Sequence, residues 1–242
     1  MKPLPHHKLI LFDHDGTVVD SETIALESAW RLTSEVAREF AGAHVYELDE
    51  FVKSFAGKPY REILKKIYAD SLTTLNERDI DRLVAEEEKR AIERLSVEAK
   101  ATEGTPEVLS YLRDDSFEYA LVSNSSLQRL SACLTAAALN GYFLSAQIFS
   151  AHDSLPTARP KPLPDIYLHA VSYLEAEVSD CVAVEDSISG VKAAVAAGIG
   201  QIIGYVGGTH ISDDERTSRA DALQSVGAQQ VIERMPDLIS LL

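Results

Sequence analysis

Two aspartates separated by one residue follow the first strongly apolar run of the sequence. The run Leu9–Phe12 is typical of a buried strand, and Asp13 and Asp15 come directly after it, followed by Gly16 and Thr17. In an open α/β sheet, ligands bind in the crevice beyond the carboxyl ends of the strands, so both carboxylates are predicted to lie where a reaction can occur. An Asx turn that ends a strand is the simpler interpretation, and other parts of the chain must decide between the two.

A hydroxyl and an amide follow the second predicted strand, Tyr119–Val122. Ser123 and Asn124 stand there, at the same carboxyl edge of the sheet as the aspartate pair. Ser125 or Ser126 can cap the helix that follows, which leaves Ser123 for a ligand. Ser123 can equally belong to the helix cap.

A lysine and a second acidic pair complete the set of candidate residues. Lys161 stands between two prolines, which hold the backbone extended and fix its position more firmly than that of an ordinary solvated loop lysine, the alternative here. Glu185 and Asp186 end the predicted strand Cys181–Val184. Four acids near one point repel one another unless a cation lies among them, and Mg²⁺ is the cation that prefers such oxygen ligands.

Strands and helices alternate around these motifs. Strands are predicted at His7 to Phe12, Tyr119 to Val122, Ala146 to Phe149, Cys181 to Val184, Gln201 to Tyr205 and Gln230 to Ile232. This alternation predicts an α/β fold with a doubly wound parallel sheet. From about residue 20 to about residue 98 the pattern is helical, so the predicted organisation is a core of residues 1–18 and 101–242 with an inserted α-helical cap of residues 19–100.

Composition and charge exclude several classes of function. The 242 residues are 45% hydrophobic, enough for a packed core, and the net charge of −15 argues against a broad basic face for nucleic acid or an anionic membrane. The apolar runs are much shorter than the roughly 20 residues of a membrane span, and the first residues lack the pattern of a signal peptide. A cytoplasmic protein that acts on a small molecule is therefore expected.

The order of the motifs resembles the haloacid dehalogenase superfamily, in particular its phosphatases and phosphomutases that carry a small helical cap. The resemblance extends from about Leu9 to about Gly208 and implies a Rossmann-like core. The residues that carry it are Asp13-His14-Asp15-Gly16-Thr17, Ser123, Lys161 and Glu185-Asp186.

The resemblance also implies a role for each matching residue. Asp13 is expected to be the nucleophile that forms an aspartyl-phosphate, and Asp15 the general acid/base. Ser123 and Lys161 are expected to bind the transferred phosphoryl group. The expected ligands of Mg²⁺ are the carboxylates of Asp13, Glu185 and Asp186 and the backbone carbonyl of Asp15.

An aspartate at position 15 favours phosphoryl chemistry over dehalogenation, because a leaving alkoxide needs a proton and a leaving halide does not. The expected substrate is a small phosphorylated metabolite, such as a sugar phosphate or a sugar-acid phosphate. The predicted substrate-binding residues are Thr17 and Asn124 in the core and Gly57, Lys58 and Arg61 in the cap. For Lys58 and Arg61, ordinary surface charge is the alternative.

Three other interpretations stay open at this point. A mutase similar to β-phosphoglucomutase uses the same residues, although Leu127 stands near a position where such mutases carry a polar residue. A receiver-like phosphoacceptor domain has a different motif order, no cap and a shorter chain. A non-enzymatic binding domain is the third, but every motif position holds a competent residue.

Four histidines are assigned no role in the site. His44, His152, His169 and His210 have no recognisable partners and are interpreted as core or surface residues.

Overall fold

Short apolar segments form the central sheet of the protein, in a computed structural model that describes residues 9–39, 44–55, 58–69 and 75–242. Every residue of the first, fourth and sixth strands is buried, as expected where helices cover both faces of a parallel sheet. The strands are, in chain order, β1 (Leu9–Phe12), β2 (Val19–Asp20), β3 (Lys100–Ala101), β4 (Tyr119–Ser123), β5 (Ile148–Ser150), β6 (Cys181–Glu185), β7 (Gln201–Tyr205) and β8 (Gln230–Ile232).

The main sheet reverses its strand order beside β1. Its order is β5-β4-β1-β6-β7-β8, and all neighbouring strands are parallel. The chain therefore runs outward from β1 through β4 to β5 on one side and then builds β6, β7 and β8 on the other. Ligands of open α/β sheets bind at such a reversal, beyond the carboxyl ends of the strands.

Helices connect and cover these strands. They are α1 (Glu22–Glu39), α2 (Leu48–Phe55), α3 (Tyr60–Tyr68), α4 (Glu77–Glu98), α5 (Thr105–Asp114), α6 (Leu127–Ala136), α7 (Asp165–Tyr173), α8 (Ile188–Ala197) and α9 (Asp213–Ser225). Two of the helices that follow sheet strands begin at a serine cap. Ser126 accepts a hydrogen bond from the backbone of Arg129 at the start of α6, and Ser187 accepts one from Gly190 at the start of α8.

The chain divides into two compact units. The larger takes in the chain up to Asp20 and from Lys100 to Leu242, and the smaller takes in Ser21–Ala99. Within the larger unit, β2 and β3 pair as an antiparallel ribbon with Val19 opposite Ala101. Across the ranges that the structure describes, none of the helices combines the length and apolarity needed to cross a membrane.

The smaller unit has an apolar core of its own. Phe51 and Phe55 of α2 are fully buried, with ring centroids 4.8 Å apart, and belong to one cluster with Leu32 of α1, Leu64 of α3 and Leu83 of α4. Burial of a large apolar side chain contributes about 1.5–3 kcal/mol, so this cluster holds the four helices together.

The predicted α/β fold, a doubly wound parallel sheet with a helical insertion, is confirmed. Two details differ from the sequence prediction. The strand predicted from Ala146 begins at Ile148, because Gln147 hydrogen-bonds to the backbone of Leu144 and Tyr119 and holds a short 3₁₀ turn before it. Helix α9 was not predicted, because Leu223 is its one buried residue and so it lacks an apolar stripe.

Candidate active site

The strands deliver the candidate residues to one edge of the main sheet. Asp13 follows β1, and its backbone N–H donates to the carbonyl of Val184 in β6 at 2.9 Å. Ser123 is the last residue of β4, and Glu185 is the last residue of β6. Because β4 and β6 are the two neighbours of β1, these side chains lie at the point where the strand order reverses.

Lys161 joins two of the acids. Its ammonium nitrogen Nζ donates to Oδ1 of Asp13 at 2.6 Å, to Oε1 of Glu185 at 2.6 Å and to the carbonyl of Val122 at 2.7 Å. Burial alone lowers the pKa of this lysine, but the charges of Asp13 and Glu185 outweigh burial and raise the pKa above its ordinary value. Lys161 is therefore a buried cation that stays protonated.

Asn124 holds the backbone of Lys161. Its Oδ1 accepts a hydrogen bond from the N–H of Lys161 at 2.7 Å, so the segment after β4 fixes the loop that carries the lysine. The side-chain amide predicted to bind substrate is thus already in contact with the protein backbone. A substrate contact by Asn124 stays a prediction.

Glu185 is completely buried and has two donors on one oxygen. Tyr167 of α7 donates its hydroxyl proton to Oε1 at 2.5 Å, beside the contact from Lys161. Burial raises the pKa of Glu185, although Lys161 and Tyr167 oppose this effect. Sequence reasoning did not assign Tyr167 a role; its place on the buried side of α7, six residues after Lys161, is the available signal.

Three carboxylates form a candidate metal centre. Oxygens of Asp13, Glu185 and Asp186 lie within 4.8 Å of one another, and all three residues are buried. The pKa of Asp13 is well above its ordinary value, chiefly through burial and also through repulsion by Glu185 and Asp186, with Lys161 opposing. A hard divalent cation fits this donor set, since it takes carboxylate oxygens and offsets their repulsion. The identity of the metal belongs to the proposal below.

Asp15 faces a different set of partners. Its Oδ2 accepts a hydrogen bond from the hydroxyl of Ser125 at 2.6 Å, and its Oδ1 accepts one from Nη2 of Arg129 at 3.1 Å. Nδ1 of the buried His14 lies 3.4 Å from the same Oδ1. Burial raises the pKa of Asp15, but Arg129, His14 and Ser125 together hold it well below its ordinary value.

The first turn after β1 needs a glycine. Gly16 has a φ of +79°, and a Cβ at this position would collide with the carboxylate of Asp186 and the ring of His210. The ring of His210 lies against the acidic cluster, with Nε2 3.1 Å from Oδ2 of Asp186. The interpretation of His210 as a residue without a partner was wrong, because the loop after β7 returns it to the carboxyl edge of the sheet.

A comparison with known protein families identifies the chain. Residues 7–198 match the model of the haloacid dehalogenase-like hydrolases, a span that includes all four motifs and the helical unit. The chain belongs to the haloacid dehalogenase-like hydrolase family.

Relatives of this hydrolase act on phosphate esters. This chain is 31% identical over 217 residues to validoxylamine A 7′-phosphate phosphatase of Streptomyces hygroscopicus, and the match covers 90% of this chain and 92% of that protein. It is 26% identical over 235 residues to a phosphorylated carbohydrates phosphatase of Thermotoga maritima, covering 95% and 99%. A crystal structure of a conserved haloacid dehalogenase-like protein from Agrobacterium tumefaciens matches with a TM-score of 0.76 at 35% identity, covering 97% and 96%. The haloacid dehalogenase-like hydrolase described here is a phosphoric monoester hydrolase.

The other predicted substrate-binding residues of the hydrolase have varied surroundings. Thr17 is completely buried at the turn after β1. In the smaller unit, Lys58 donates to the carbonyl of Ser54 at 3.1 Å, and Arg61 forms ion pairs with Glu77 and Asp81. Gly57 lies outside the described residues. The substrate contacts of these four residues stay predictions.

Proposed function

We propose that this phosphatase depends on Mg²⁺ and hydrolyses a small phosphorylated metabolite, a sugar phosphate or a sugar-acid phosphate, through an aspartyl-phosphate on Asp13. The observation that carries the proposal is the position of Asp13. Its carboxylate lies 2.6 Å from Nζ of Lys161, and its oxygens lie within 4.8 Å of those of Glu185 and Asp186. The nucleophile therefore lies beside one fixed cation, Lys161, and beside a site for a second cation. Two positive charges can offset the two negative charges of a phosphoryl group.

The proposed reaction has two steps. A carboxylate oxygen of Asp13 attacks phosphorus, the bond from phosphorus to the ester oxygen breaks, and Asp15 gives its proton to the leaving alkoxide. Water then attacks the phosphorus of the aspartyl-phosphate and gives a proton to Asp15, while the bond between Asp13 and phosphorus breaks. The products are an alcohol and inorganic phosphate, and Asp13 and Asp15 return to their starting states.

The resting protonation of Asp15 suits the second step. Arg129 and Ser125 favour the carboxylate form, which accepts a proton from water. The first step needs the acid form, which Asp15 reaches by taking one proton from water when the substrate binds and which the second step regenerates. A dianionic phosphoryl group beside Asp15 favours that form, because a nearby like charge opposes ionisation of a carboxyl group.

Charge balance defines the roles proposed for the remaining residues. Mg²⁺, when bound, supplies positive charge that offsets the charge on the phosphoryl oxygens. Asp13, Glu185, Asp186 and the backbone carbonyl of Asp15 are the proposed ligands. Ser123 and Lys161 are proposed to hold the phosphoryl oxygens, with the hydroxyl as a neutral donor and the ammonium as a charged one.

The proposed substrate class rests on the relatives and on the charge of the chain. One of the two relatives named above is a phosphatase of phosphorylated carbohydrates, and the other is a phosphatase of validoxylamine A 7′-phosphate. Lys58 and Arg61 are proposed to recognise a hydroxyl-rich or anionic end of the substrate, in a chain whose net charge is −15.

A substrate panel tests this function. Release of inorganic phosphate is measured with Mg²⁺ and with EDTA for a set of sugar phosphates, phosphoglycolate and phosphogluconate, with Asp13→Asn as the inactive control. We expect Mg²⁺-dependent release from at least one sugar or sugar-acid phosphate. With β-glucose 1-phosphate, formation of glucose 6-phosphate in place of free phosphate identifies the mutase alternative. Absence of phosphate release from every compound contradicts the proposal.

A further inference from the structure

Both oxygens of the Asp15 carboxylate are held by residues that follow β4, namely Ser125 in the loop before α6 and Arg129 in the first turn of α6. Ser125 donates to Oδ2 at 2.6 Å, and Arg129 donates to Oδ1 at 3.1 Å. The side chains of Asp15 and Arg129 are 17% and 13% exposed, so the contact is largely shielded from water. Ser125 and Arg129 have no part in the roles assigned above to the metal and phosphoryl ligands.

The loop between β4 and α6 and the first residue of α6 are firmly anchored. The N–H of Ser125 donates to the hydroxyl of Ser123 at 3.0 Å, and its carbonyl accepts a hydrogen bond from the hydroxyl of Ser150 at 2.8 Å. The N–H of Leu127 donates to Oδ2 of Asp153 at 2.6 Å. The residues at the ends of β4 and β5 therefore fix the loop that carries Ser125 and the start of the helix that carries Arg129.

We propose that Ser125 and Arg129 are positioning residues that fix the plane of the Asp15 carboxylate for proton transfer. The inference rests on the proposed function and adds two residues to it. One contact allows a carboxylate to rotate about its Cβ–Cγ bond, whereas donors on both oxygens define its orientation. The two oxygens offer about four lone-pair sites, more than Ser125 and Arg129 together occupy.

Orientation of the acid matters most when the leaving group needs a proton. p-Nitrophenolate is a stable anion and leaves without being protonated, whereas the alkoxide of a sugar phosphate must receive a proton as it leaves. The value of kcat/KM reports the steps up to and including departure of the leaving group, so it isolates the acid role from the later attack of water. A residue that only stabilises the fold lowers kcat/KM equally for both kinds of ester.

The experiment compares an alkyl phosphate substrate from the panel with p-nitrophenyl phosphate. For Arg129→Gln we expect kcat/KM to fall at least about tenfold on the alkyl phosphate and less than about threefold on p-nitrophenyl phosphate, with the loss in kcat and little change in KM. Arg129→Lys keeps the charge and is expected to recover part of the loss. Arg234→Gln is the matched control, since it removes an exposed Arg–Asp ion pair with Asp237, and it is expected to match the wild type on both substrates.

Ser125 provides an independent pair of variants. Ser125→Ala removes the donor to Oδ2 and is expected to lower kcat/KM on the alkyl phosphate selectively, whereas Ser125→Thr keeps the hydroxyl and most of the activity. This pair decides the question if Arg129→Gln fails to fold.

Two results overturn the inference, and a third result contradicts the proposed function on which it rests. Equal losses on both esters in Arg129→Gln and in Ser125→Ala indicate a structural role. A rise in kcat/KM indicates that the two donors withdraw Asp15 from the reaction. A wild-type enzyme that hydrolyses no ester at all contradicts the proposed function itself, whereas an active wild type with unselective variants contradicts the positioning role alone.

Discussion

The ammonium of Lys161 lies 2.6 Å from Oδ1 of Asp13, and both side chains are buried. This contact joins the loop in which Lys161 stands between two prolines to the end of β1, near the centre of the sheet. Nζ of the lysine also reaches Glu185 at 2.6 Å, so one cation serves two carboxylates. Such a centre is stable only while the charges compensate one another.

Replacement of this cation tests that compensation. We expect Lys161→Met to abolish phosphatase activity and to lower the free energy of unfolding by about 3–5 kcal/mol, because it leaves buried carboxylates without their counter-ion. Urea unfolding at neutral pH measures the change. Lys192→Met replaces an exposed lysine of α8 and is the matched control, with an expected change within about 0.5 kcal/mol. Equal stability of the two variants contradicts this account.

The Tyr167 hydroxyl tests the support of Glu185. The pKa of Tyr167 is well above its ordinary value, chiefly through burial and then through Glu185, so the hydroxyl remains a donor at any working pH. We expect Tyr167→Phe to lose about 1.5–3 kcal/mol of stability, the contribution of a hydrogen bond to a charged group. Tyr173→Phe removes an exposed hydroxyl from the same helix and is expected to have little effect on urea unfolding. A Tyr167→Phe variant as stable as the Tyr173→Phe variant is the contrary result.

Gly190 tests the space around the same carboxylate. A Cβ at this position collides with the carboxylate of Glu185, whereas a Cβ at Gly141 meets no atom within 4 Å. We expect Gly190→Ala to lower both stability and kcat, since Glu185 must move, and Gly141→Ala to stay within about 0.5 kcal/mol of the wild type. Thermal unfolding and turnover of both variants provide the measurement. If the Gly190→Ala variant is as active and as stable as the wild type, the carboxylate of Glu185 is not held in place by its contact with residue 190.

How far the sequence predicts this site depends on the element that carries each residue. Asp13, Ser123 and Glu185 each end or follow a buried apolar strand, and the carboxyl ends of parallel strands meet at one edge, so their proximity was predictable. Arg129 projects from a helix and His210 from a loop. Their contacts with Asp15 and Asp186 depend on tertiary packing that no spacing in the sequence records.

The same reasoning explains the fold predictions. The centre of the parallel sheet was predictable because β1 is a continuous apolar run and β6 is one up to its final glutamate. Helix α9 begins with three acidic residues and buries Leu223 alone, so hydrophobic periodicity did not indicate it. A helix that packs on the sheet through few apolar side chains leaves only a weak hydrophobic periodicity in the sequence.

The charge on Asp13 is expected to lower the stability of the metal-free protein. Because the pKa of Asp13 is higher in the folded protein than in the unfolded chain, its stabilising contribution is present below the unfolded pKa and is lost as pH rises through the folded pKa. We therefore expect Asp13→Asn in EDTA to unfold at a higher temperature than the wild type near neutral pH, with a smaller difference at acidic pH. An equal or lower unfolding temperature for the variant contradicts this sign.

Addition of Mg²⁺ is expected to reverse the order. A ligand at a hundredfold excess over its Kd stabilises the folded state by about 2.7 kcal/mol, and the wild type has the full set of carboxylates to bind it. Asp13→Asn and Asp186→Asn are expected to gain much less, whereas Asp221→Asn, an exposed control on α9, gains as much as the wild type. Equal gains in all four proteins place the metal elsewhere.

The most direct test of the central claim is to trap the phosphoryl group on the enzyme. Wild-type protein is mixed with substrate and Mg²⁺, quenched within a single turnover and treated with borohydride, which reduces an acyl phosphate to an alcohol. Peptide mass spectrometry is expected to find homoserine in place of Asp13, and in no peptide of the Asp13→Asn variant. Full turnover by wild-type enzyme with Asp13 unmodified, or with the label on another residue, contradicts the assignment of Asp13 as the nucleophile.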